Sequence, residues 1–322
     1  MVPRNASYVE VPEARSFRGG RFTYLLAGAS KELGLHSQTL QSISREYVKA
    51  RTQFRKLKLK WRSRFSLGWI PFKSSGVRLV RDSVFYAGQA FRFWKSREIE
   101  GKIKEGSFNQ DSRGRWYVNF QCEVSDQESH GESEVGIDLG CKDTVVCSNG
   151  RKFSRENLTR KYQEKLAKVQ RARKKKQTKN IHAKIQNQRK DFAHKTTTEI
   201  CRTSKLVIVG DINSKGLAKT RMAKSIYDAG FAQIKMMLGY KAIRHGIVYK
   251  EVSEAGSTIS CSNCSARSGP SGLRGLAVRE WSCSECGAYH DRDINAARNI
   301  LRMGHHALLR NPLPLSEPLR RA

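Results

Sequence analysis

Apolar positions along this chain recur with changing period, and each change marks a new element. Residues 1–20 carry Pro, Gly, Ser and Arg without periodicity and predict a loosely ordered start. From about residue 22 to 64 the spacing turns helical: Leu40, Ile43, Tyr47, Ala50, Phe54 and Leu57 form one apolar stripe. Over 65–125 short β-rich runs (77–80, 83–86, 90–94, 116–120) are split by Gly and Asp-Ser turns, the pattern of a small antiparallel barrel or curled sheet. Alternation puts many of its aromatics on one face, which predicts core rather than platforms for nucleic-acid bases. Residues 126–134 are polar and acidic, as a linker would be.

A second region comes next. The run 134–140 reads as a strand, and 144–147 with the Asn149-Gly150 turn predicts a hairpin. One or two long helices cover 154–200, with the tract 171–176 as a helix break or an exposed basic tip. A buried strand at 206–209, an amphipathic helix at 219–243, a strand at 246–252, a cysteine-bearing segment, a helix from about 292 to 303 and a Pro-containing tail complete the chain. Strands alternating with helices from residue 134 predict a three-layer α/β domain with a mixed sheet. The whole is an α+β multidomain chain without internal repeats.

Charge narrows the choice of partner. The 322 residues, enough for two or three domains, hold 61 Lys and Arg against 29 Asp and Glu, a net +32. Such an excess calls for a polyanion. An anionic membrane would need an amphipathic anchor or a long apolar run, and the sequence has neither. No apolar leader follows Met1, and Cys122, Cys141, Cys147 and Cys201 sit singly, as small buried hydrophobes in a reducing compartment do. The expected location is intracellular. The cations gather in two segments. Between 45 and 64 there are nine with Glu46 alone opposing them, and between 151 and 195 there are seventeen against three acids. The candidates for phosphate contact are Arg45, Lys49, Arg55, Lys56, Lys60, Arg171, Arg173, Lys174, Lys175, Lys176, Arg189 and Lys195.

Two constellations carry chemistry. Cys261-x-x-Cys264 and Cys283-x-x-Cys286, with eighteen residues between them, have the spacing of a four-thiolate zinc ribbon. Four sulfurs close the shell, so this Zn²⁺ would be structural. The second constellation is acidic. Asp138 lies inside an apolar strand between Gly136 and Gly140, where a lone acid needs a partner or a metal. Asp293 opens the last helix; Asp291 can serve as its N-cap, leaving Asp293 to face the sheet. Hydrolysis of a phosphodiester by two cations needs three or four carboxylates, and Mg²⁺ suits hard oxygens. Asp211 and Glu254, each just past a strand, are the candidates for the third.

With these residues in place, the chain resembles the TnpB-type transposon-encoded RNA-guided nucleases, relatives of compact type V CRISPR effectors. The resemblance rests on Gly136-Ile137-Asp138-Leu139-Gly140, Ser257-Thr258-Ile259-Ser260-Cys261-Ser262-Asn263-Cys264, Cys283-x-x-Cys286-Gly287 and the run from His290 through Asp291-Arg292-Asp293 to Ile300. Less specific matches are the run from Ser66 to Phe72 and the run from Asp111 to Tyr117, which resemble the family's wedge barrel. The likeness covers roughly residues 35–305. It implies an N-terminal segment with basic helices (1–64), a wedge-like β-barrel (65–130), an RNase H-like RuvC domain (131–256), an inserted zinc ribbon (257–290), the last RuvC helix (291–305) and a tail (306–322). It also implies a Mg²⁺-dependent DNA endonuclease, with a guide RNA and target double-stranded DNA as partners, in a prokaryotic nucleoid. In that family the protein reads a short adjacent motif and base pairing reads the sequence.

Two departures stand out. The family's second RuvC motif ends its strand in Glu-Asp-Leu-Asn, whereas here the run is Gly210-Asp211-Ile212-Asn213. Period-two alternation points Asp211 away from the face of residue 210, and Gly210 leaves room for an acid from the neighbouring strand. The expected triad is therefore Asp138, Glu254 and Asp293, with Asp211 as the competing third member. The N-terminal region looks short for the family, which would suit a naturally short member, one completed by a second copy of itself or by a partner, or one that recognises a shorter duplex. The rival functions are an RNA-guided DNA-binding repressor without nuclease activity, favoured by Gly210, and a strand-joining transposase, which no sequence feature supports beyond basicity.

Overall fold

The computed structural model describes residues 28–125 apart from 57, 60–62, 64 and 65; then 131–212, 226, and 228–310 apart from 276. The expectations for 1–20, for Lys60, for most of 126–134, for the first half of the 219–243 helix and for the end of the tail lie outside them. The chain divides into two compact units, 1–125 and 126–322. No helix among the described residues is long and apolar enough to cross a membrane.

In the first unit, α1 (Ala29–Leu33) stops at Gly34, whose left-handed backbone (φ 61°) breaks the continuous helix that the apolar stripe predicts. α2 (Ser37–Gln53) restarts behind His36, whose ring nitrogen accepts the Gln38 N–H at 3.3 Å. Its buried face is Thr39, Leu40 and Ser44, while Ile43 and Phe54 of the expected stripe stay exposed. The Thr39 hydroxyl donates to the Pro71 carbonyl at 2.9 Å, fixing α2 to the first strand. Six strands come after it: β1 (Trp69–Lys73), β2 (Val77–Val80), β3 (Ser83–Tyr86), β4 (Gln89–Arg92), β5 (Lys102–Gln110) and β6 (Trp116–Glu123). They form two antiparallel three-stranded sheets, ordered β1-β5-β6 and β2-β3-β4.

One core serves both sheets: Phe72, Val84 and Tyr86, with Phe93, Phe108, Val118 and Phe120 against them. Five aromatics are thus interior, as alternation predicts, but Phe91, Trp94, Trp116 and Tyr117 are exposed, Trp94 at 92 %. The sequence pattern misses β5 because its run is polar; pairing with β1 on one side and β6 on the other makes it a strand. The Asp111 carboxylate turns β5 into β6 by accepting the backbone N–H of Arg113 (2.8 Å) and Arg115 (3.0 Å).

The second unit is built on β7 (Ser133–Asp138), β8 (Asp143–Cys147), β9 (Lys152–Ser154), β10 (Ser204–Gly210) and β11 (Val248–Val252), in the order β11-β10-β7-β8-β9. β7, β10 and β11 run parallel; β8 and β9 run antiparallel to their neighbours. Between β9 and β10 stand α3 (Leu158–Arg171) and α4 (Lys175–Thr203), joined by a turn in which Arg173 adopts φ 53°. α5 (Phe231–Arg244) precedes β11. The hairpin β12 (Glu280–Ser282) and β13 (Tyr289–Asp291) leads directly into α6 (Arg292–Arg310), longer than the sequence pattern predicts.

Alternation assigns the two sheet faces. Val135, Ile137, Val207 and Val209 share a core with Ala193 and Ile200 of α4 and Phe231, Ile234 and Leu238 of α5. Leu206, Ile208 and Val252 pack instead with Ile300 of α6. The result is helix, sheet, helix, with about 1.5–3 kcal/mol for each large apolar side chain fully buried between layers. Gly136 permits the close approach of α6, since a Cβ there would run into the Ala297 carbonyl oxygen. Cys147 and Cys201 are buried as expected, but Cys141, in the loop after Gly140, is exposed.

Candidate functional site

The parallel strands β7, β10 and β11 end on one side of the sheet, and residue parity decides which side chains face α6. Gly136 and Asp138 of β7, Ile208 and Gly210 of β10, and Val252 followed by Glu254 beyond β11 all fall on that face. α6 begins there with Asp293. Its first turn is capped by Asp291, whose Oδ1 accepts the N–H of Asp293 and of Ile294, each at 3.0 Å. Lys152 holds the other oxygen of Asp291 at 2.5 Å. Asp291 is thereby occupied and Asp293 is free to turn inward.

Three carboxylates lie on this face as a result, close enough for two of them to act on the charge of Asp138, though among the described residues only the cysteines bring their ligand atoms within metal-binding distance of one another. Burial, then the like charges of Asp293 and Glu254, push the Asp138 carboxyl up to about 7, against the pull of Arg292 and the Leu139 N–H. A Cβ on Gly210 would lie 3.0 Å from Ile300 Cδ1, 3.2 Å from Glu254 Oε2 and 3.3 Å from its Cβ, so Ile300 and Glu254 together crowd the space a side chain at 210 would enter. Glu254 is also raised, by burial first and by Asp211 next, with Lys235 opposing. Asp211 has the other parity. Its Oδ1 receives the Lys235 ammonium of α5 at 2.7 Å, and Lys235 also pairs with Glu251 at 2.5 Å. Asp293 is bracketed by Arg279, at 2.9 Å, and Arg292, at 3.3 Å.

The four cysteines form the second cluster. Their Sγ atoms all lie within 4.8 Å of one another, with Cys261 to Cys286 at 3.7 Å and Cys264 to Cys283 at 3.6 Å. A tetrahedral ion with metal–sulfur bonds of ~2.3 Å separates its sulfurs by ~3.8 Å, which the two short pairs match, so these thiols suit zinc. The two knuckles share one backbone design. Cys261 N–H donates to the Ala266 carbonyl and Cys283 N–H to that of Ala288, with Ser265 and Gly287 both at φ 70°. Hydrogen bonds from Ser268 and then from backbone N–H groups draw the Cys283 thiol down to about 6, toward the thiolate a metal needs.

Sequence reasoning misses the pins between this cluster and α6. Asn295 and Asn299, 1 % and 0 % exposed, both donate to the carbonyls of Ser257 and Ser260, and Asn295 Oδ1 accepts the Ser262 N–H at 2.8 Å. Two buried amides one helical turn apart in an otherwise small and apolar run are the signal that could have found them. Arg279 and Arg292, the neighbours of Asp293, are missed likewise.

The basic candidates divide. In the first unit Lys49, Arg55 and Lys56 are exposed, and Arg45 pairs with Glu105 at 2.7 Å. In the second, Arg171, Arg173, Lys174, Lys175 and Lys176 all stand exposed around the α3–α4 turn, and Lys195 pairs with Asp191 at 2.8 Å. Arg189 is a correction to the open-face expectation. It turns inward to the buried Asp228, with Nε at 2.9 Å, and to Thr159, tying the helical hairpin to the residues before α5.

Comparison with known proteins gives two matching families: the Cas12f1-like TNB domain over residues 231–300 and "Probable transposase" over 118–221. A Streptomyces pristinaespiralis protein named "Putative RNA-guided DNA endonuclease" is 35 % identical over 61 % of this chain and 52 % of its own length. InsQ of Escherichia coli K12, with the same designation, is 28 % identical over 67 % and 60 %. The mimivirus TnpB-like protein L79 is 26 % identical over 62 % and 43 %. The chain thus spans about half of the curated relatives it matches, or a little more. A solved Cas12f1–sgRNA–target DNA complex contains a chain that superimposes with TM-score 0.41 and 17 % identity, over 82 % of this chain and 78 % of that one. A superposition at that score supports no inference about this chain. The sequence matches bear out the TnpB-type resemblance.

Proposed function

We propose that this TnpB-type chain is an RNA-guided DNA endonuclease whose site is formed by Asp138, Glu254 and Asp293. What supports the reading is the placement of three acids, on β7, beyond β11 and at the start of α6, on one face of the sheet, with Asp293 and Glu254 both raising the Asp138 carboxyl. Carboxylates so placed repel one another, and a divalent cation relieves the repulsion. The donors are hard oxygens, which fit Mg²⁺. Asp138, Glu254 and Asp293 would hold the ion, and Mg²⁺ bound there would supply activation of the attacking water and neutralisation of the leaving oxygen. The chain's own residues do the holding. Gly210 makes room for Glu254, Asp291 caps α6 so that Asp293 is presented, and Arg292 and Arg279 steady the Asp293 carboxylate.

On this reading the mixed sheet with α4, α5 and α6 is an RNase H-like RuvC domain, with a structural zinc ribbon inserted before its last helix. The two sheets of the first unit are the wedge-like barrel. The exposed cations around the α3–α4 turn and on α2 meet a guide RNA and the target duplex by phosphate contact. Such a protein acts inside a prokaryotic cell, alone or with a second copy. The names of the bacterial relatives agree with this activity.

The test uses the purified chain with the RNA that accompanies it. A plasmid carrying the matching sequence should be cut when Mg²⁺ is present and left whole with chelator. Tight RNA-directed binding with intact DNA under both conditions would instead establish the repressor reading.

A further inference from the structure

His290, on the β12–β13 hairpin, reaches the sulfur cluster with a polar atom without belonging to it. It lies opposite Trp281 in the ladder, with ring centroids 4.8 Å apart, and is 4 % exposed. Its Nε2 is 3.0 Å from Sγ of Cys261, itself fully buried. Its Nδ1 has no hydrogen-bond partner among the described residues. A neutral imidazole carries one N–H. On Nδ1 that proton would be a buried donor without an acceptor; on Nε2 it meets the sulfur. The mutually close set of ligand atoms contains the four sulfurs and not the imidazole, so the ring borders the shell from outside.

We propose that His290 is a positioning residue for the metal centre, donating Nε2–H to the Cys261 thiolate. The inference rests on reading the four cysteines as a zinc site. Four thiolates around one Zn²⁺ would leave a net charge of about −2, with Cys261 and Cys283 buried and Cys264 and Cys286 exposed, and a hydrogen bond to a buried sulfur disperses part of it. Cys261 is the first cysteine of the first knuckle and fully buried; its sulfur accepts the Asn263 backbone N–H at 3.4 Å, and His290 Nε2, nearer at 3.0 Å, is placed as a second donor. The contact also joins the first knuckle to the strand that runs into Asp291 and Asp293.

The test compares the full chain with His290→Phe and His290→Gln. Phenylalanine keeps a ring against Trp281 and removes the donor; glutamine restores an N–H. Zinc content by elemental analysis comes first, then competition for zinc with a chromogenic chelator, then the absorption of the cobalt-substituted chain. The phenylalanine variant should bind zinc about ten- to a hundredfold more weakly, with its thiolate-to-cobalt band at lower energy, because a sulfur without a hydrogen bond gives up charge more readily. Glutamine should recover much of both. A phenylalanine variant with wild-type affinity and wild-type spectrum overturns the proposal and leaves His290 as packing. Should that variant fail to fold, the wild-type chain loaded with NMR-active cadmium decides. Scalar coupling between cadmium and the His290 Nε2 proton is expected, and its absence overturns the hydrogen bond. A wild-type chain that takes up no zinc overturns the centre itself.

Discussion

The sulfur cluster and the carboxylate cluster are both anchored to α6, yet they are assembled by opposite means. The four thiols come from two short knuckles whose turns repeat the same hydrogen bonds, so local chain geometry alone brings each pair together. The three acids come from residues 138, 254 and 293, and only the parallel order of β7, β10 and β11 with α6 across them puts them on one face. The sulfur site relieves its charge with backbone and side-chain donors. The oxygen site keeps its charge in opposition, with Asp138 raised to about 7. On the proposed function, stability resides in the first and reactivity in the second, a division common to structural and working sites.

The comparison breaks most visibly at the oxygen side. Replacing Asp138, Glu254 or Asp293 by alanine should lower single-turnover cleavage by at least on the order of a hundredfold, whereas Asp211→Ala should stay within a few fold. Equal losses at Asp211 and Glu254 would dissolve the distinction that residue parity makes. On the sulfur side, Cys283→Ser should lose its tightly bound zinc and unfold at lower temperature, read by elemental analysis and a thermal melt. Retention of full zinc would show that the knuckles do not act as one centre.

Between the two sits α6, where Gly136→Ala forces a methyl group against a helix carbonyl. A loss of about 1–3 kcal/mol in denaturant unfolding is expected, with cleavage falling too as Asp293 shifts. A subtler effect comes from Asp138→Asn. The unfolded aspartate ionises near pH ~4, while the folded one holds its proton to about 7. The wild-type chain therefore loses stability as pH rises between these values and not beyond them. Without added magnesium, the melting advantage of the asparagine variant should grow across that window and then level off; a constant difference would contradict the raised carboxyl. Smallest of all, changing Lys174, Lys175 and Lys176 to glutamine should reduce the salt slope of RNA binding by about one per residue. An unchanged slope would make the tip a solvated turn.

How much of this is legible beforehand depends on the same contrast. The zinc spacing, the helix break at the basic tract and the parity of Asp211 against residue 210 are local, and a sequence displays them. The occupation of the space beside Gly210 by Glu254 is readable only as a possibility, since it needs the register that pairs Gly210 with Val252. The Asn295 and Asn299 pins and the inward turn of Arg189 are tertiary. An amide in an apolar run and an arginine among many arginines look ordinary until their acceptors are placed. The β5 strand fails the pattern for a similar reason, because its partners, not its own alternation, hold it in the sheet.

Everything about the activity turns on where a divalent cation settles. Anomalous diffraction from crystals of the full chain soaked in Mn²⁺ locates it directly. Density bridged by the carboxylates of Asp138, Glu254 and Asp293 is the expected result. Density at Asp211 and Glu251 instead, or none near the ends of β7 and β10, would contradict the account.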